Sequence, residues 1–313
     1  MTIAFTFPGQ GSQAVGMGRA LADAYPTAAR VFAEVDDALG QKLSQLMWEG
    51  PADELTLTEN AQPALMAVSL AALRVLEEKG VSVARDAAFV AGHSLGEYSA
   101  LAAAGSLSIA DTARLLKIRG RAMQAAVPVG RGAMAALLGL SYDDAAAVAA
   151  EAAQGEVCQA ANDNADGQVV VSGAKAAIER AVEIAKGRGA KRAMLLNVSA
   201  PFHCALMQPA ADAMAEALAK VEIRRPVVPL VANVLAASIS DPEEIRRRLV
   251  EQVTGNVRWR ESVQYLARHG VTRLYEIGSG KVLTGLVKRI VEGVEGVAVG
   301  TPDDVEKMVA ALV

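Results

Sequence analysis

A serine enclosed by glycines is the part of this chain whose residue types and spacing best suit chemistry. The motif Gly92-His93-Ser94-Leu95-Gly96 follows an apolar run at 87–91 and precedes an alanine- and leucine-rich stretch at 97–104. Gly-x-Ser-x-Gly between a strand and a helix predicts a sharp turn that presents the serine hydroxyl above the sheet. The free amides of the helix N-terminus favour negative charge there. Ser94 is therefore predicted to be a nucleophile; the alternative is an ordinary Gly-Ser turn.

A serine hydroxyl needs a base within hydrogen-bonding distance, and the chain contains three histidines. His93 adjoins the serine, but its side chain should leave the turn in another direction, which favours a structural role. His269 ends a predicted surface helix before Gly270. By elimination the base is His203, which lies in a loop after a predicted strand; the alternative is a packed structural histidine.

The group that would orient this histidine is not evident. Asp163 and Asp166 lie between the serine and the histidine, where a hydrolase of this kind carries its acid. Both fall within the stretch 162–167, whose composition is typical of a turn. We therefore expect a group other than a carboxylate to orient His203.

Arg119, on the helix predicted over 109–126, is a further candidate. Most helical arginines are solvated, with their stems over apolar neighbours. Beside a nucleophile, a planar guanidinium can bind a carboxylate through two hydrogen bonds. In that position Arg119 would select dicarboxylic half-thioesters.

Composition narrows the class of protein. The chain has 313 residues and a net charge of -4, which argues against nucleic acid as a main partner. Two cysteines without a CxxC motif suit a reducing compartment and exclude a thiolate metal site. No basic region precedes the first apolar residues, so no signal peptide is expected. The longest stretch without charged side chains, 193–211, is too polar for a membrane helix. We expect a soluble cytoplasmic monomer without a metal.

Helix and strand patterns predict an α/β fold with two units. Residues 127–197 have the order β-α-β-β-α-β of a ferredoxin-like subdomain. Residues 1–126 and 198–313 would form a larger, discontinuous domain. Within it, apolar periodicity predicts a helix over 61–78 with Pro63 in its first turn, and residues 227–234 form an apolar run.

Several ordered motifs together resemble those of a known family. They are Phe7-Pro8-Gly9-Gln10-Gly11-Ser12-Gln13, Gly92-His93-Ser94-Leu95-Gly96-Glu97, Arg119-Gly120-Arg121, Ala200-Pro201-Phe202-His203, Gln252 with Val257-Arg258-Trp259, and Glu276-Ile277-Gly278 with Gly280-Lys281-Val282-Leu283. Over essentially its whole length the chain resembles the malonyl-CoA:acyl carrier protein transacylases of bacterial fatty-acid synthesis. The resemblance implies an α/β-hydrolase-like large domain into which the ferredoxin-like subdomain is inserted.

The resemblance also implies roles for site residues. Ser94 would be the nucleophile and His203 its base, oriented by a side-chain or backbone carbonyl near Gln252. Arg119 would hold the free malonyl carboxylate. The remaining roles fall to the oxyanion-binding backbone amides of Gln10 and Leu95, and to Phe202, which would disfavour a branched methylmalonyl group.

The implied reaction is a ping-pong transfer from malonyl-CoA, through a malonyl-Ser94 ester, to the phosphopantetheine thiol of acyl carrier protein. It needs no cofactor. Because acyl carrier protein is acidic, a basic docking patch is hypothesised at Lys186, Arg188, Lys191 and Arg192; the alternative is a solvated helix end.

Three other functions remain open from the sequence. An esterase or thioesterase would use the same serine with water as acceptor and would not need Arg119. An acyltransferase of a polyketide assembly line would share these residues. A non-catalytic module that docks carrier proteins would form no acyl-enzyme.

Overall fold

Two separate β-sheets organise the chain in the computed structural model, which describes residues 2–313. The strands are β1 Thr2–Phe7, β2 Phe89–Gly92, β3 Gly132–Leu138, β4 Cys158–Ala165, β5 Gln168–Ala174, β6 Arg192–Leu195, β7 Leu230–Ala232, β8 Ala237–Ile239, β9 Val271–Ile277 and β10 Glu295–Val299. The helices are α1 Arg19–Ala24, α2 Pro26–Leu39, α3 Leu43–Glu49, α4 Ala52–Thr56, α5 Thr58–Glu78, α6 Val83–Asp86, α7 Gly96–Ala103, α8 Ile109–Ala126, α9 Tyr142–Ala153, α10 Lys175–Gly187, α11 Gln208–Leu218, α12 Pro242–Thr254, α13 Trp259–Arg268, α14 Val282–Val287 and α15 Pro302–Leu312. The mixed α/β fold predicted from the sequence is therefore present.

The larger sheet has the order β10-β9-β1-β2-β7-β8 and is parallel except for the last pair. Parallel strands end at one edge of a sheet, where open α/β folds bind ligands. Phe7 at the end of β1 pairs with Gly92 at the end of β2, and the amide of His93 donates to the carbonyl of Phe7 at 3.0 Å. The loop after β1 and the serine turn after β2 therefore lie side by side.

The smaller sheet is antiparallel, with the order β4-β5-β3-β6. Helices α9 and α10 cover it and share with it a separate apolar core of alanine, valine, leucine and isoleucine side chains. The amide of Val257, just before α13, donates to the carbonyl of Ala161 in β4 at 2.9 Å, and that of Asp163 donates back to Val257 at 2.9 Å. These bonds join the smaller sheet to the larger unit.

Helix α5 is longer than the sequence predicts. It begins at Thr58, so Pro63 is its sixth residue and the prediction that Pro63 lies in the first turn is wrong. An interior proline removes a helix hydrogen bond and costs about 3 kcal/mol. Almost the whole of α5 is buried between neighbouring helices and the sheet, and this burial outweighs the local cost. None of the helices in residues 2–313 is both long and apolar enough to cross a membrane.

The apolar run 227–234 contains the three-residue strand β7, which turns back into the unpredicted antiparallel strand β8. One further prediction needs correction. The stretch 162–167 is not a turn throughout, because β4 continues through bulges to Ala165 and only Asp166 and Gly167 turn. Asp163 is a buried strand residue whose carboxylate pairs with Arg260 of α13 at 2.9 Å. An ionic partner distant in sequence makes this polar strand possible.

Arg260→Ala is expected to lower the free energy of unfolding by about 3 kcal/mol, because it leaves the Asp163 carboxylate buried without its partner. Urea unfolding followed by circular dichroism measures the change. Arg268→Ala is the matched control: Arg268 is exposed on the same helix, so its removal should change stability by no more than about 0.5 kcal/mol. Equal effects of the two changes would contradict a stabilising role for the buried pair.

Candidate active site

The serine turn is enforced by sterics on both sides. A Cβ at Gly92 would lie 1.9 Å from the carbonyl oxygen of Gly96, and one at Gly96 would lie 2.3 Å from that of Phe7. Ser94 itself has a left-handed φ of 53°, which is uncommon for a residue with a side chain. Its amide donates to Oδ1 of Asn233 at 2.8 Å. The turn thus holds the Ser94 hydroxyl at the end of β2, in a conformation that the surrounding structure maintains.

His203 lies against this hydroxyl. Its Nε2 is 2.8 Å from Ser94 Oγ, and its Nδ1 is 2.9 Å from the backbone carbonyl oxygen of Gln252. A carbonyl only accepts, so Nδ1 carries the proton and Nε2 is free to accept the serine proton. Burial, followed by the nearby Arg119 charge, lowers the pKa of His203 to about 3. The imidazole is therefore neutral at physiological pH, as a general base must be.

Arg119 is buried beside the same serine. Helix α8 reaches α5 closely at Gly120, where a Cβ would lie 2.5 Å from Cα of Glu59, and this approach places Arg119 in the interior. Its Nη1 donates to Oε1 of Gln62 at 2.7 Å. Its Nη2 donates to Oε1 of Gln252 at 2.8 Å and to Ser94 Oγ at 3.2 Å. A buried guanidinium cation thus lies within hydrogen-bonding distance of the Ser94 hydroxyl.

One cavity of about 340 Å³ contains these groups. The smaller sheet contributes Met134, Asn162, Asn164 and Val170 to its wall, so the cavity lies between the two sheets. Nε2 of His93 is 2.8 Å from Oδ1 of Asn164 across this boundary. Among residues 2–313, no cluster of His, Cys, Asp or Glu side chains could hold a metal ion.

Two backbone amides near Ser94 have no protein acceptor in the described part of the chain and can donate to an oxyanion. Gln10 lines the cavity beside Ser94, and Gly9 before it packs so closely that a Cβ would meet the carbonyl oxygen of His93 at 2.8 Å. Within residues 2–313, the amides of Gln10 and Leu95 donate to no protein acceptor. The amide of Ser94, by contrast, is already bonded to Asn233.

Comparison of the sequence with known proteins identifies the family of this chain. The acyl transferase domain family matches residues 4–302. A malonyl CoA-acyl carrier protein transacylase of Escherichia coli strain K12 is 49% identical over 309 residues, which cover 99% of this chain and 98% of that protein. The chain belongs to the malonyl CoA-acyl carrier protein transacylase family. The family is one of acyltransferases, and a Bacillus subtilis strain 168 member is 46% identical over 311 residues, 99% of this chain and 97% of that one.

Solved structures of transacylases in this family have the same fold. The acyl-carrier-protein S-malonyltransferase of Bartonella henselae is 58% identical, with a TM-score of 0.98, covering 100% of this chain and 99% of that one. A malonyl-transacylase solved in complex with a type II polyketide acyl-carrier protein is 45% identical, with a TM-score of 0.96, covering 99% of this chain and all of that one.

The structure brings together most of the residues singled out from the sequence. Ser94, His203, Arg119, Gln10 and Phe202 line the cavity. Gln252 is buried and bonds to both Arg119 and His203, and Leu95 is buried next to Ser94 in the serine turn.

Sequence reasoning missed several polar groups of the site. Gln62 contacts Arg119, Asn233 holds the serine amide, and Asn162 and Asn164 line the cavity. The turn-like composition of 162–167 concealed the last two, and nothing local marks Gln62 or Asn233.

Replacing His203 with asparagine is expected to flatten the acidic side of the stability profile. The folded-state pKa of His203 lies below its ordinary value of 6.5, so below about pH 6.5 the unfolded chain takes up a proton that the folded chain does not. The wild type should therefore lose about 1 kcal/mol of this contribution per pH unit on acidification, down towards pH 3, and the variant should not. Asparagine tolerates the left-handed φ of 58° at this position.

Urea unfolding at several pH values between about 7 and 5 measures the difference in slope. His269→Asn is the control, because this histidine is exposed at the end of α13. Parallel profiles for the wild type and His203→Asn would show that burial does not shift the titration of His203.

Proposed function

We propose that the protein transfers the malonyl group of malonyl-CoA to the phosphopantetheine thiol of acyl carrier protein by a ping-pong mechanism through a malonyl-Ser94 ester. The observation that carries this proposal is the convergence of Ser94 Oγ, His203 Nε2 and Arg119 Nη2 in one cavity, with the hydroxyl 2.8 Å from the imidazole and 3.2 Å from the guanidinium. The names of the relatives state the same substrates. The product would supply the extender unit for fatty-acid synthesis.

In the first half-reaction His203 takes the proton of Ser94 as the hydroxyl attacks the thioester carbonyl. The backbone amides of Gln10 and Leu95 stabilise the tetrahedral oxyanion; one such donor contributes about 3 kcal/mol. His203 then returns its proton to the departing coenzyme A thiolate, which leaves the malonyl ester. The thiol of acyl carrier protein reverses these steps.

The backbone carbonyl of Gln252 orients His203 in place of a carboxylate. A neutral acceptor stabilises imidazolium less than a carboxylate does, so the proton is passed on readily to a thiolate. A thioester is exchanged for a thioester, and the reaction does not require a strong base.

Acyl selectivity is assigned to Arg119 and Phe202, which line the same cavity as Ser94. Arg119 binds the free malonyl carboxylate through its planar fork, while its hydrogen bonds to Gln62 and Gln252 hold that fork in place. Phe202, buried at the cavity wall, limits the space for a branched methylmalonyl group.

The two units have the architecture that suits this function. We infer that the larger, discontinuous unit is α/β-hydrolase-like, since its serine turn follows a parallel strand. The strand order β4-β5-β3-β6, with two covering helices, supports a ferredoxin-like subdomain in residues 127–197.

Docking of acyl carrier protein is proposed on the basic side of this subdomain. Of the four cations considered, Lys186 is paired with Glu183 and Arg188 with Glu151. Lys191 and Arg192 are exposed and form no ion pair within residues 2–313. The docking charge is therefore assigned mainly to Lys191 and Arg192.

Intact-protein mass spectrometry after incubation with malonyl-CoA tests the function. We expect one malonyl adduct, mapped to Ser94, that is discharged by the thiol of holo-acyl carrier protein and persists in buffer. Acetyl-CoA should give much less adduct. Rapid discharge by water with no transfer to the thiol would indicate a thioesterase, and absence of any adduct would indicate a non-catalytic docking module.

A further inference from the structure

A buried carboxylate lies behind the active site and outside the cavity. Glu97 is in the first turn of α7, three residues after Ser94, and is 1% exposed. Its Oε1 accepts from the amide of Asn233 at 3.0 Å, and its Oε2 accepts from Nε2 of Gln252. Among residues 2–313 no cation forms an ion pair with it. Burial raises the pKa of Glu97 to about 7, opposed by these two donors and by the charge of Arg119. Burial disfavours the charged form of Glu97, so a specific interaction must be the reason that a carboxyl group is present here.

The reason lies in the side-chain amide of Gln252, which has one donating end and one accepting end. Its Nε2 donates to Glu97 and to the backbone carbonyl of Ser94, the latter at 2.9 Å. Its Oε1 accepts from Nη2 of Arg119 at 2.8 Å. A guanidinium only donates, so the bond to Arg119 forms only while the NH₂ group of Gln252 faces Glu97.

We propose that Glu97 is a positioning residue that fixes the orientation of the Gln252 amide, and through it the guanidinium of Arg119, for acyl groups that end in an acid. The inference rests on the proposed function and deepens it. Glu97 offers two acceptors to two donors that converge on it. The malonyl selectivity of Arg119 thus depends on a carboxylate that never touches the substrate.

The substitution Glu97→Gln isolates this role. A glutamine has one accepting oxygen, yet Asn233 and Gln252 each present a donor. The Asn233 donor is backbone and cannot turn away, so the new oxygen accepts from it. The new NH₂ group then opposes that of Gln252, which keeps only the Ser94 carbonyl as its acceptor, so the Gln252 amide moves away from position 97 and its Oε1 shifts relative to Arg119. The guanidinium is displaced, while His203 keeps its bond to the backbone of Gln252.

The experiment compares kcat/KM for malonyl-CoA with that for acetyl-CoA in three proteins. In Glu97→Gln we expect the malonyl-to-acetyl ratio to fall about tenfold or more relative to wild type, equivalent to about 1.4 kcal/mol. The matched control is Glu276→Gln. Glu276 is another carboxylate that is 1% exposed and accepts two amides, from Leu283 and Thr284, away from the cavity. Its loss should leave the ratio unchanged.

An equal loss of both activities in Glu97→Gln, or no change in the ratio, would overturn the inference. If Glu97→Gln does not fold, Gln252→Leu tests the same link from its other end, since it removes the amide and keeps the backbone carbonyl for His203. A wild-type ratio in Gln252→Leu overturns the inference equally. Mass spectrometry of the wild-type protein distinguishes the two proposals. If the malonyl-Ser94 ester forms but the ratio is unchanged in Glu97→Gln, only the role of Glu97 is refuted. If the ester does not form, the proposed function is refuted.

Discussion

Ser94→Ala is expected to abolish the malonyl adduct and to lower malonyl transfer by about 10⁴-fold or more. In the proposed mechanism both half-reactions pass through an ester on this oxygen. Its removal therefore eliminates the nucleophile and leaves the backbone amides of Gln10 and Leu95 in place. Alanine adopts the left-handed φ of this turn at a cost similar to that of serine, and the bond from the residue 94 amide to Asn233 does not involve the side chain. Intact mass and the rate of transfer to acyl carrier protein measure the effect.

Ser99→Ala is the matched control for this change. Ser99 is a fully buried serine of α7, and its hydroxyl has no hydrogen-bond partner in the part of the chain that the structure describes. Its removal should leave adduct formation and transfer near wild-type values. A labelled ester that persists at wild-type yield in Ser94→Ala would refute the assignment of the nucleophile.

Arg119→Ala is expected to change which acyl group is transferred. Two charge-assisted hydrogen bonds to the malonyl carboxylate contribute about 1.5–3 kcal/mol each, so kcat/KM for malonyl-CoA should fall by about 10²- to 10⁴-fold. An acetyl group has no carboxylate to lose, and its transfer should be retained or increased. Arg119→Lys should recover only part of the malonyl activity, because an ammonium keeps the charge without the planar fork.

Arg121→Ala controls for the loss of an arginine from the same helix. Its side chain is 65% exposed and pairs with Glu59 outside the cavity, so both acyl activities should stay close to wild type. Should malonyl and acetyl transfer fall by the same factor in Arg119→Ala, Arg119 would have a structural role rather than a carboxylate-binding one.

Local rules were sufficient for the elements that carry the nucleophile. The serine turn is dictated by Gly92 and Gly96, whose neighbours leave no room for a side chain. Helix α8 begins at residue 109, as the sequence predicts, because the hydroxyl of Ser108 accepts from the amide of Asp111. Such signals lie within a few residues of the element that they define.

The rest of the site depends on contacts between distant segments. Asn233 meets the serine turn, and Gln62 meets Arg119, only after the sheet and helices have packed. The composition around Asp163 is typical of a turn. Its ionic partner Arg260 lies 97 positions away, so the pair cannot be predicted from neighbouring residues. The sequence predicts Gln252 near His203, but only the packed fold determines that its backbone carbonyl contacts His203 while its side-chain amide contacts Arg119.

The bonds between β4 and the segment around Val257 have a consequence for substrate range. The nucleophile belongs to one sheet, whereas Asn162 and Val170, on the opposite wall, belong to the other. The width of the cavity therefore depends on how firmly these hydrogen bonds hold the two sheets together. Weakening these bonds, far from Ser94, is expected to widen the range of acyl groups that fit the cavity without changing any residue that contacts Ser94.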